Sequence, residues 1–220
     1  MKKRVRRIFL LIILLIASYL LYQNQDKIVG FIIHNDEEEI KIANWNLQIF
    51  GVSKAGNDEL MESYANKINH YDIVFIQEIR DSSGEAFQKL CLMLGSDYNC
   101  NVSSRAGRSN NKEQQGLIYR NKLNLTIFHD YSPDKLDRWE RPPIEVEFNL
   151  GKYNLTIFNI HTKPEDVKDE LDYLDDVARN EGFVAVVGDL NADCSYYDNK
   201  ESGEFDGWNW IIKDDEDTTS

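Results

Sequence analysis

Short apolar runs recur along the chain from position 40 onward, and turn-forming residues separate them. The runs are rich in Ile, Val, Phe and Tyr, the residues that favour a pleated and partly buried strand. The pattern predicts eight strands, over residues 40–46, 72–77, 97–102, 115–120, 124–130, 143–149, 154–160 and 183–188.

Three other segments repeat their apolar residues every three to four positions, which is the spacing of an amphipathic helix. They are residues 57–69, 83–94 and 163–179. Ser82 with Glu85, and Thr162 with Glu165, match the Ser/Thr-x-x-Glu capping box, and Pro164 suits a first helical turn. Because strands outnumber helices, we expect an α+β domain in which packed sheets carry helices on the outside.

The N-terminus has the pattern of a targeting or anchoring segment. Five basic residues between positions 2 and 7 precede an apolar run over residues 8–22. The run is between a signal-peptide core and a full membrane span in length, so a cleaved signal and an uncleaved anchor both remain open. We assign residues 1–24 to this signal peptide or signal anchor and residues 25–39 to a polar linker. Residues 40–220 then form a domain that is membrane-anchored outside the cytoplasm, or secreted.

The charge balance narrows the partners that the domain can have. The chain carries 38 acidic and 25 basic residues, for a net charge of −13. An acidic body excludes a protein that coats nucleic acid through a broad basic face, so phosphate binding would need metal ions and local arginines. Of the three cysteines, Cys91 and Cys100 could pair, and the Cys and His spacing does not match a zinc site.

Several apolar strands end in side chains suited to phosphate or metal chemistry, namely Asn46, Glu78, His161, Asp189 and Asn191. If the strands are neighbours, these ends converge in one cleft. Each residue alone has an ordinary alternative: a solvated strand edge, a turn, or a hydrogen-bonded structural histidine.

Together, these residue types fit phosphodiester chemistry. Mg²⁺ prefers hard oxygen ligands and often takes only one or two carboxylates, for which Glu78 and Asp189 are candidates. His161 could transfer a proton, and Asn191 could donate to a phosphate oxygen. Guanidinium groups bind phosphates bidentately, and the candidates for this are Arg80, Arg108 and Arg141.

Six segments occur in an order that resembles a known superfamily. They are IANWNLQIFG, DIVFIQEIRDS, YRNKL, RPPIEVEF, NIHTKP and VVGDLNADCSYY. Together they resemble the endonuclease/exonuclease/phosphatase superfamily, and most closely its deoxyribonuclease I branch. The resemblance implies a four-layer α/β/β/α sandwich of two packed, mostly antiparallel sheets.

The resemblance also implies roles for single residues. Asn46 would lie near the scissile phosphate, Glu78 would bind Mg²⁺ (or Mn²⁺), and Asp189 and Asn191 would complete this half of the centre. Glu113 would support the catalytic histidine, His161. Arg80 would contact DNA in the minor groove and Arg141 would hold a phosphate. Asn111 stands where the family has a tyrosine that contacts DNA. Arg108 remains a substrate-binding candidate on its guanidinium group alone. A structural Ca²⁺ is implied near residues 210–212 and 217–219.

The family pattern continues with an Asp-Arg segment and a closing Ser-Asp-His that the 220 residues do not include. We therefore expect the domain to be truncated at its C-terminus, without a second catalytic histidine and a further metal-site aspartate.

Three functions remain open at this stage. The first is a monomeric, metal-dependent endonuclease that hydrolyses DNA with little sequence specificity. The second is a phosphodiesterase of the same superfamily acting on a lipid or a small molecule. The third is a non-catalytic relic that binds DNA or metal.

Overall fold

Two mixed β-sheets form the centre of the structure. In the computed structural model, residues 29–34, 39–178, 182–192, 197, 205–212 and 218 are described. The first sheet has the strand order β1-β2-β3-β5-β4 and the second β6-β7-β8-β9, and neighbours are antiparallel except for the pairs β2/β3 and β8/β9. The strands are β1 (Val29–His34), β2 (Glu39–Phe50), β3 (Ile73–Ile79), β4 (Tyr98–Val102), β5 (Gln114–Arg120), β6 (Asn124–Asp130), β7 (Ile144–Asn149), β8 (Asn154–His161) and β9 (Phe183–Asp189).

The helices lie outside the sheets. They are α1 (Val52–Ala55), α2 (Asp58–Ile68), α3 (Glu85–Leu94) and α4 (Val167–Ala178), with short 3₁₀ turns at Gly95–Asp97 and Pro164–Asp166. A disulfide between Cys91 and Cys100 joins α3 to β4. Among the described residues, none of these helices is long and apolar enough to cross a membrane. The predicted signal or anchor over residues 1–24 lies outside the described residues.

Three apolar clusters fix the order of the layers. One, around Trp45, lies between the first sheet and helices α2 and α3. A second, around Phe75 and Ile157, lies between the two sheets, and a third, around Phe158 and Leu171, lies between the second sheet and α4. The layers therefore run helix, sheet, sheet, helix, which confirms the predicted four-layer sandwich.

All eight predicted strands are present, and β1 is an addition. The sequence assigned residues 25–39 to a polar linker, but residues 29–34 within it form a strand that pairs antiparallel with β2 from Val29↔Asn44 to His34↔Glu39. The linker interpretation was wrong for this stretch, because its apolar β-forming residues can add to the open edge of β2.

Both predicted capping boxes were wrong. Helix α3 begins at Glu85, and the Asp81 carboxylate, rather than Ser82, accepts the N–H of Ala86 at 2.9 Å. Thr162 does not cap a helix either, because its hydroxyl donates to the carbonyl oxygen of Leu190. Pro164 does occupy the first turn of the helical segment that follows, as predicted.

Candidate active site

Strand alternation points the candidate residues into one cleft between the two sheets. Successive side chains of a strand face opposite sides, so residues two apart share a face. Ile42 in β2, Leu117 in β5, Ile157 in β8 and Val187 in β9 all pack between the sheets. The same faces continue to Asn46, Glu113, His161 and Asp189, and the register pairs His161 with Asp189.

Glu78 reaches the cleft through irregular backbone. Continued alternation from Phe75 and Gln77 would turn residue 78 toward the helices. The pairing of β3 with β5 shifts between Ile76 and Ile79, and Glu78 has a φ of +59°. A β-bulge of this kind re-aims a side chain, and here it brings the Glu78 carboxylate to the side of Asn46.

The Asn46 side chain joins two carboxylates from different sheets. Its amide nitrogen donates to Glu78 Oε1 at 3.1 Å and to Asp189 Oδ2 at 2.9 Å. Its amide oxygen accepts the backbone N–H of Gln48 at 2.8 Å, which fixes which way the amide points. Asn46 therefore sets the distance between the two predicted metal ligands.

His161 lies between Glu113 and Asp189. Its Nδ1 is 2.5 Å from Glu113 Oε1, and its Nε2 is 3.8 Å from Asp189 Oδ2. Glu113 is only 1% exposed. A buried carboxylate on Nδ1 holds the imidazole in one orientation and directs Nε2 toward the cleft, as in other carboxylate–histidine pairs.

Two arginines form ion pairs with the carboxylates of Glu78 and Glu113. Arg80 Nη2 lies 3.3 Å from Glu78 Oε2 and 3.2 Å from Glu113 Oε2. Arg141 Nε lies 3.3 Å from Glu113 Oε1 and also donates to the carbonyl oxygen of His161 at 2.9 Å. Both guanidinium groups therefore fix the carboxylate that orients His161.

The environment keeps Glu78 in its charged form. Burial by itself would raise the pKa of the Glu78 carboxyl, but this effect is outweighed by hydrogen bonds from the Asn46 side chain and the Ile49 N–H. Together with the nearby His161 and Arg80, these bonds lower the pKa below its ordinary value. Glu78 is therefore an ionised oxygen donor at neutral pH.

Asn191 borders the cluster, whereas two predicted substrate-binding residues lie apart from it in the described part of the chain. Asn191 donates to the carbonyl oxygen of Thr162 at 2.9 Å. Arg108 donates to Asp137 Oδ1 at 3.1 Å and lies 3.8 Å from Glu140 Oε2. Asn111 is exposed on the same loop, where its N–H donates to Ser109.

Sequence reasoning missed a layer of supporting residues. Beneath the cluster, Gln77 donates to Asn44 and Asn159, and Asn159 donates to Asn44, so three amides join the two sheets. Glu170 on α4 is buried and accepts two backbone N–H groups beside the site. For the three amides and for Glu170, the sequence signal was a polar residue at a position where the strand or helix period predicts a buried apolar residue.

The donor set fits a magnesium site. Among the described residues, no three His, Cys, Asp or Glu side chains are grouped as a protein cage. Mg²⁺ rarely needs one, because it keeps several waters and takes one or two carboxylates. Glu78 and Asp189, both bonded to the Asn46 amide, supply carboxylates of that kind. The predicted Ca²⁺ segment lies partly outside the described residues.

Comparison with known proteins identifies relatives of this chain. Deoxyribonuclease gamma of Mus musculus is 31% identical over 217 residues, which cover 84% of this chain and 67% of the relative. Deoxyribonuclease-1 of Bos taurus is 31% identical over 204 residues, which cover 82% and 72%. The chain thus spans about two thirds of the length of these curated relatives.

Solved structures share the fold. An endonuclease/exonuclease/phosphatase family protein from Bacteroides thetaiotaomicron aligns with a TM-score of 0.53 at 16% identity, covering 72% of this chain and 65% of that one. The human Nocturnin catalytic domain aligns with a TM-score of 0.53 at 15% identity, covering 74% and 68%. At such identities the likeness concerns the fold alone.

Residues 43–219 match the model of the family described as the Endonuclease/Exonuclease/phosphatase family. This match extends over most of the chain and includes all the candidate residues of the cleft. The chain therefore belongs to the endonuclease/exonuclease/phosphatase family.

Proposed function

We propose that this chain is a metal-dependent phosphodiesterase that hydrolyses DNA as an endonuclease with little sequence specificity. The observation that carries the proposal is the linked cluster in the cleft. Asn46 joins Glu78 to Asp189, and the 2.5 Å contact of Glu113 with His161 directs the imidazole Nε2 toward the same Asp189. Two carboxylates can hold a metal ion and an oriented histidine can transfer a proton, and both are means of phosphodiester hydrolysis.

In this proposal His161 transfers protons. Its Nδ1 is held by Glu113, so Nε2 is the nitrogen that can accept a proton from attacking water or give one to the leaving oxygen. Asn191, whose amide nitrogen also donates to the carbonyl oxygen of Thr162, donates to a phosphate oxygen. Asn46 keeps Glu78 and Asp189 at a fixed separation, so little rearrangement is needed as charge develops.

Glu78 and Asp189 would hold Mg²⁺ or Mn²⁺. A bound divalent ion would supply positive charge to the phosphate oxygens as they become more negative. Glu78 is suited to this because its lowered pKa keeps it ionised. A structural Ca²⁺ elsewhere in the domain stays part of the proposal on the resemblance alone.

DNA is favoured as the substrate by the names of the relatives, and a phosphodiester of any kind by Arg80. The relatives at 31% identity are named deoxyribonucleases. Arg80 also has a buried Nε donor without a hydrogen-bond partner among the described residues, and a phosphate oxygen could satisfy it. Phosphate contacts carry no sequence information, so Arg80, Arg108, Asn111 and Arg141 would read the backbone and minor groove rather than base order.

The proposed location is outside the cytoplasm, with the chain membrane-anchored or secreted as a monomer. The disulfide between Cys91 and Cys100 supports this, because disulfides persist in oxidising compartments. The basic and apolar N-terminal pattern of residues 1–24 agrees with it.

The test is nicking of supercoiled plasmid by the full chain with Mg²⁺ or Mn²⁺, against an EDTA control. We expect nicking that needs the metal, and losses of about 10²- to 10⁴-fold in His161→Ala and in Glu78→Ala. His70→Ala is the matched control, because His70 is exposed at the end of α2 and outside the cluster.

Two results would refute the proposal, and each would assign a different function to the site. Turnover of sphingomyelin or phosphoinositides in preference to DNA would assign the site to a lipid phosphodiesterase. DNA binding without hydrolysis by a folded chain would assign it to a non-catalytic binder.

A further inference from the structure

A buried carboxylate on the outer helix connects two loops behind the cleft. Glu170 on α4 is 1% exposed. Its Oε1 accepts the N–H of Glu140 at 2.6 Å, and its Oε2 accepts the N–H of Lys163 at 2.9 Å. Its own carbonyl oxygen accepts the indole N–H of Trp139 at 2.9 Å.

The two loops that Glu170 joins carry residues of the site. Arg141 follows Glu140 directly, and His161 precedes Lys163 by two positions. Arg141 in turn donates to the carbonyl oxygens of His161 at 2.9 Å and Thr162 at 2.7 Å. The loops are therefore cross-linked twice, by Arg141 at the cleft and by Glu170 on the side away from it.

Burying the Glu170 carboxylate costs free energy, and its two hydrogen bonds hold particular backbone groups in place. Burial raises the pKa of the Glu170 carboxyl, while the N–H groups of Glu140 and Lys163 and the charge of Arg141 act in the opposite direction. A buried charge is tolerated only where hydrogen bonds compensate it. Because both partners are backbone groups, the bonds fix the path of the main chain rather than a neighbouring side chain.

We propose that Glu170 is a positioning residue, which holds Arg141 and His161 at the distances from Glu113 that the cleft requires. The proposal rests on the proposed function for its kinetic consequence, though not for its structural one. Displacement of a reacting group by about 1 Å can cost on the order of 100-fold in rate, so loss of one bond from Glu170 should be visible in turnover.

The structural test is the side-chain NMR signal of His161 in the full chain. Glu170→Gln keeps the shape but turns an NH₂ group toward one of the two N–H donors, so one bond is lost. The matched control is Asp172→Asn, which removes the same charge from an exposed position on the same helix. The chain has four histidines, and His161→Gln assigns the resonance.

We expect the His161 Cε1–H resonance to shift or broaden in Glu170→Gln and to stay in place in Asp172→Asn. A folded Glu170→Gln protein with an unchanged His161 resonance overturns the proposal. If Glu170→Gln does not fold, Glu170→Asp serves instead with the same two outcomes, because the shorter carboxylate cannot keep both bonds.

Kinetics give a second readout, expressed per folded molecule. Glu170→Gln should lower kcat for DNA by about 10- to 100-fold and change KM by less than about threefold. In an Arg141→Ala background the same change should cost much less, because residues that act as one unit are not additive. Equal losses in both backgrounds would overturn the proposal. An inactive wild-type chain would count against the proposed function alone, since the NMR comparison does not depend on turnover.

Discussion

Gly188 is the position where one methyl group should damage both the fold and the site. It lies in β9 opposite Ile160 of β8, one pair before His161 and Asp189. Its φ is +148°, and a Cβ atom built there would lie 1.9 Å from the carbonyl oxygen of Ile160. Ordinary contacts begin at 3.4 Å, so Gly188→Ala must part the two strands by about 1.5 Å. The obstacle is backbone, which cannot turn aside as a side chain could.

The magnitude follows from two additive causes. Overpacking a filled interior costs about 1–3 kcal/mol, and a residue held in a backbone region suited to glycine costs roughly 1–3 kcal/mol. We expect Gly188→Ala to lower the free energy of unfolding by about 2–6 kcal/mol. Because the next register pair is His161 and Asp189, any protein that still folds should lose about 100-fold or more in phosphodiester hydrolysis.

Urea unfolding followed by circular dichroism measures the stability, and the plasmid assay measures the activity. Gly151→Ala is the control, because Gly151 also has a positive φ, of +83°, but open space around its missing Cβ. It should lose only the conformational part, about 1–2 kcal/mol. If the two variants lose the same stability, the clash with Ile160 is not the cause and the reasoning is refuted.

Three further predictions concern stability. Replacing Cys91 and Cys100 together by Ser should lower the free energy of unfolding by about 2–3 kcal/mol, since the closed loop is short, and reductant should then have no further effect on urea unfolding. The pKa of Asp81 is lowered mainly by the Ala86 N–H, so its stabilisation is present above the unfolded pKa of 3.8 and is lost as pH falls through the folded value. Asp81→Ala should therefore cost about 1–2 kcal/mol in urea titrations at pH 7, and this cost should shrink as the pH falls below 3.8. Ile49 is 66% exposed at a φ of +59°, so Ile49→Asn should keep or raise the melting temperature; a clear drop would contradict the strain argument.

Strand periodicity predicted much of the fold because the sheets are regular where they form the core. Strands such as β2 and β8 bury one or both faces, and the apolar pattern records this directly. β1 was not predicted because its short apolar run, Val29–His34, stands between polar segments. It forms a strand by pairing with the edge of β2. Pairing with a distant edge is a tertiary event that a local pattern does not contain.

The candidate site likewise contains residues that the strand period predicts and one residue that it does not. Asn46, His161 and Asp189 were predictable, since each continues an alternating strand toward the cleft. Glu78 is out of phase with its own strand, and a periodic argument alone would have pointed it at the helices. Its place depends on the bulge before Ile79, so it was identified by its position after an apolar run and by the family resemblance rather than by the strand period.

Hydrogen bonds to backbone were the hardest feature to predict. A helix pattern predicts a buried residue at the position of Glu170, and a carboxylate there looks like a break in the apolar stripe of α4. Asp81, in the loop before α3, takes the capping role predicted for Ser82 because two carboxylate oxygens can accept several N–H groups at once. In both cases the acceptor's partners are main-chain donors whose positions exist only after folding, so the sequence could mark the residue as unusual but could not name what it binds. A carboxylate at a position where the helix period predicts a buried apolar residue, as at Glu170, is therefore the most informative mark that this sequence carries about the support of its active site.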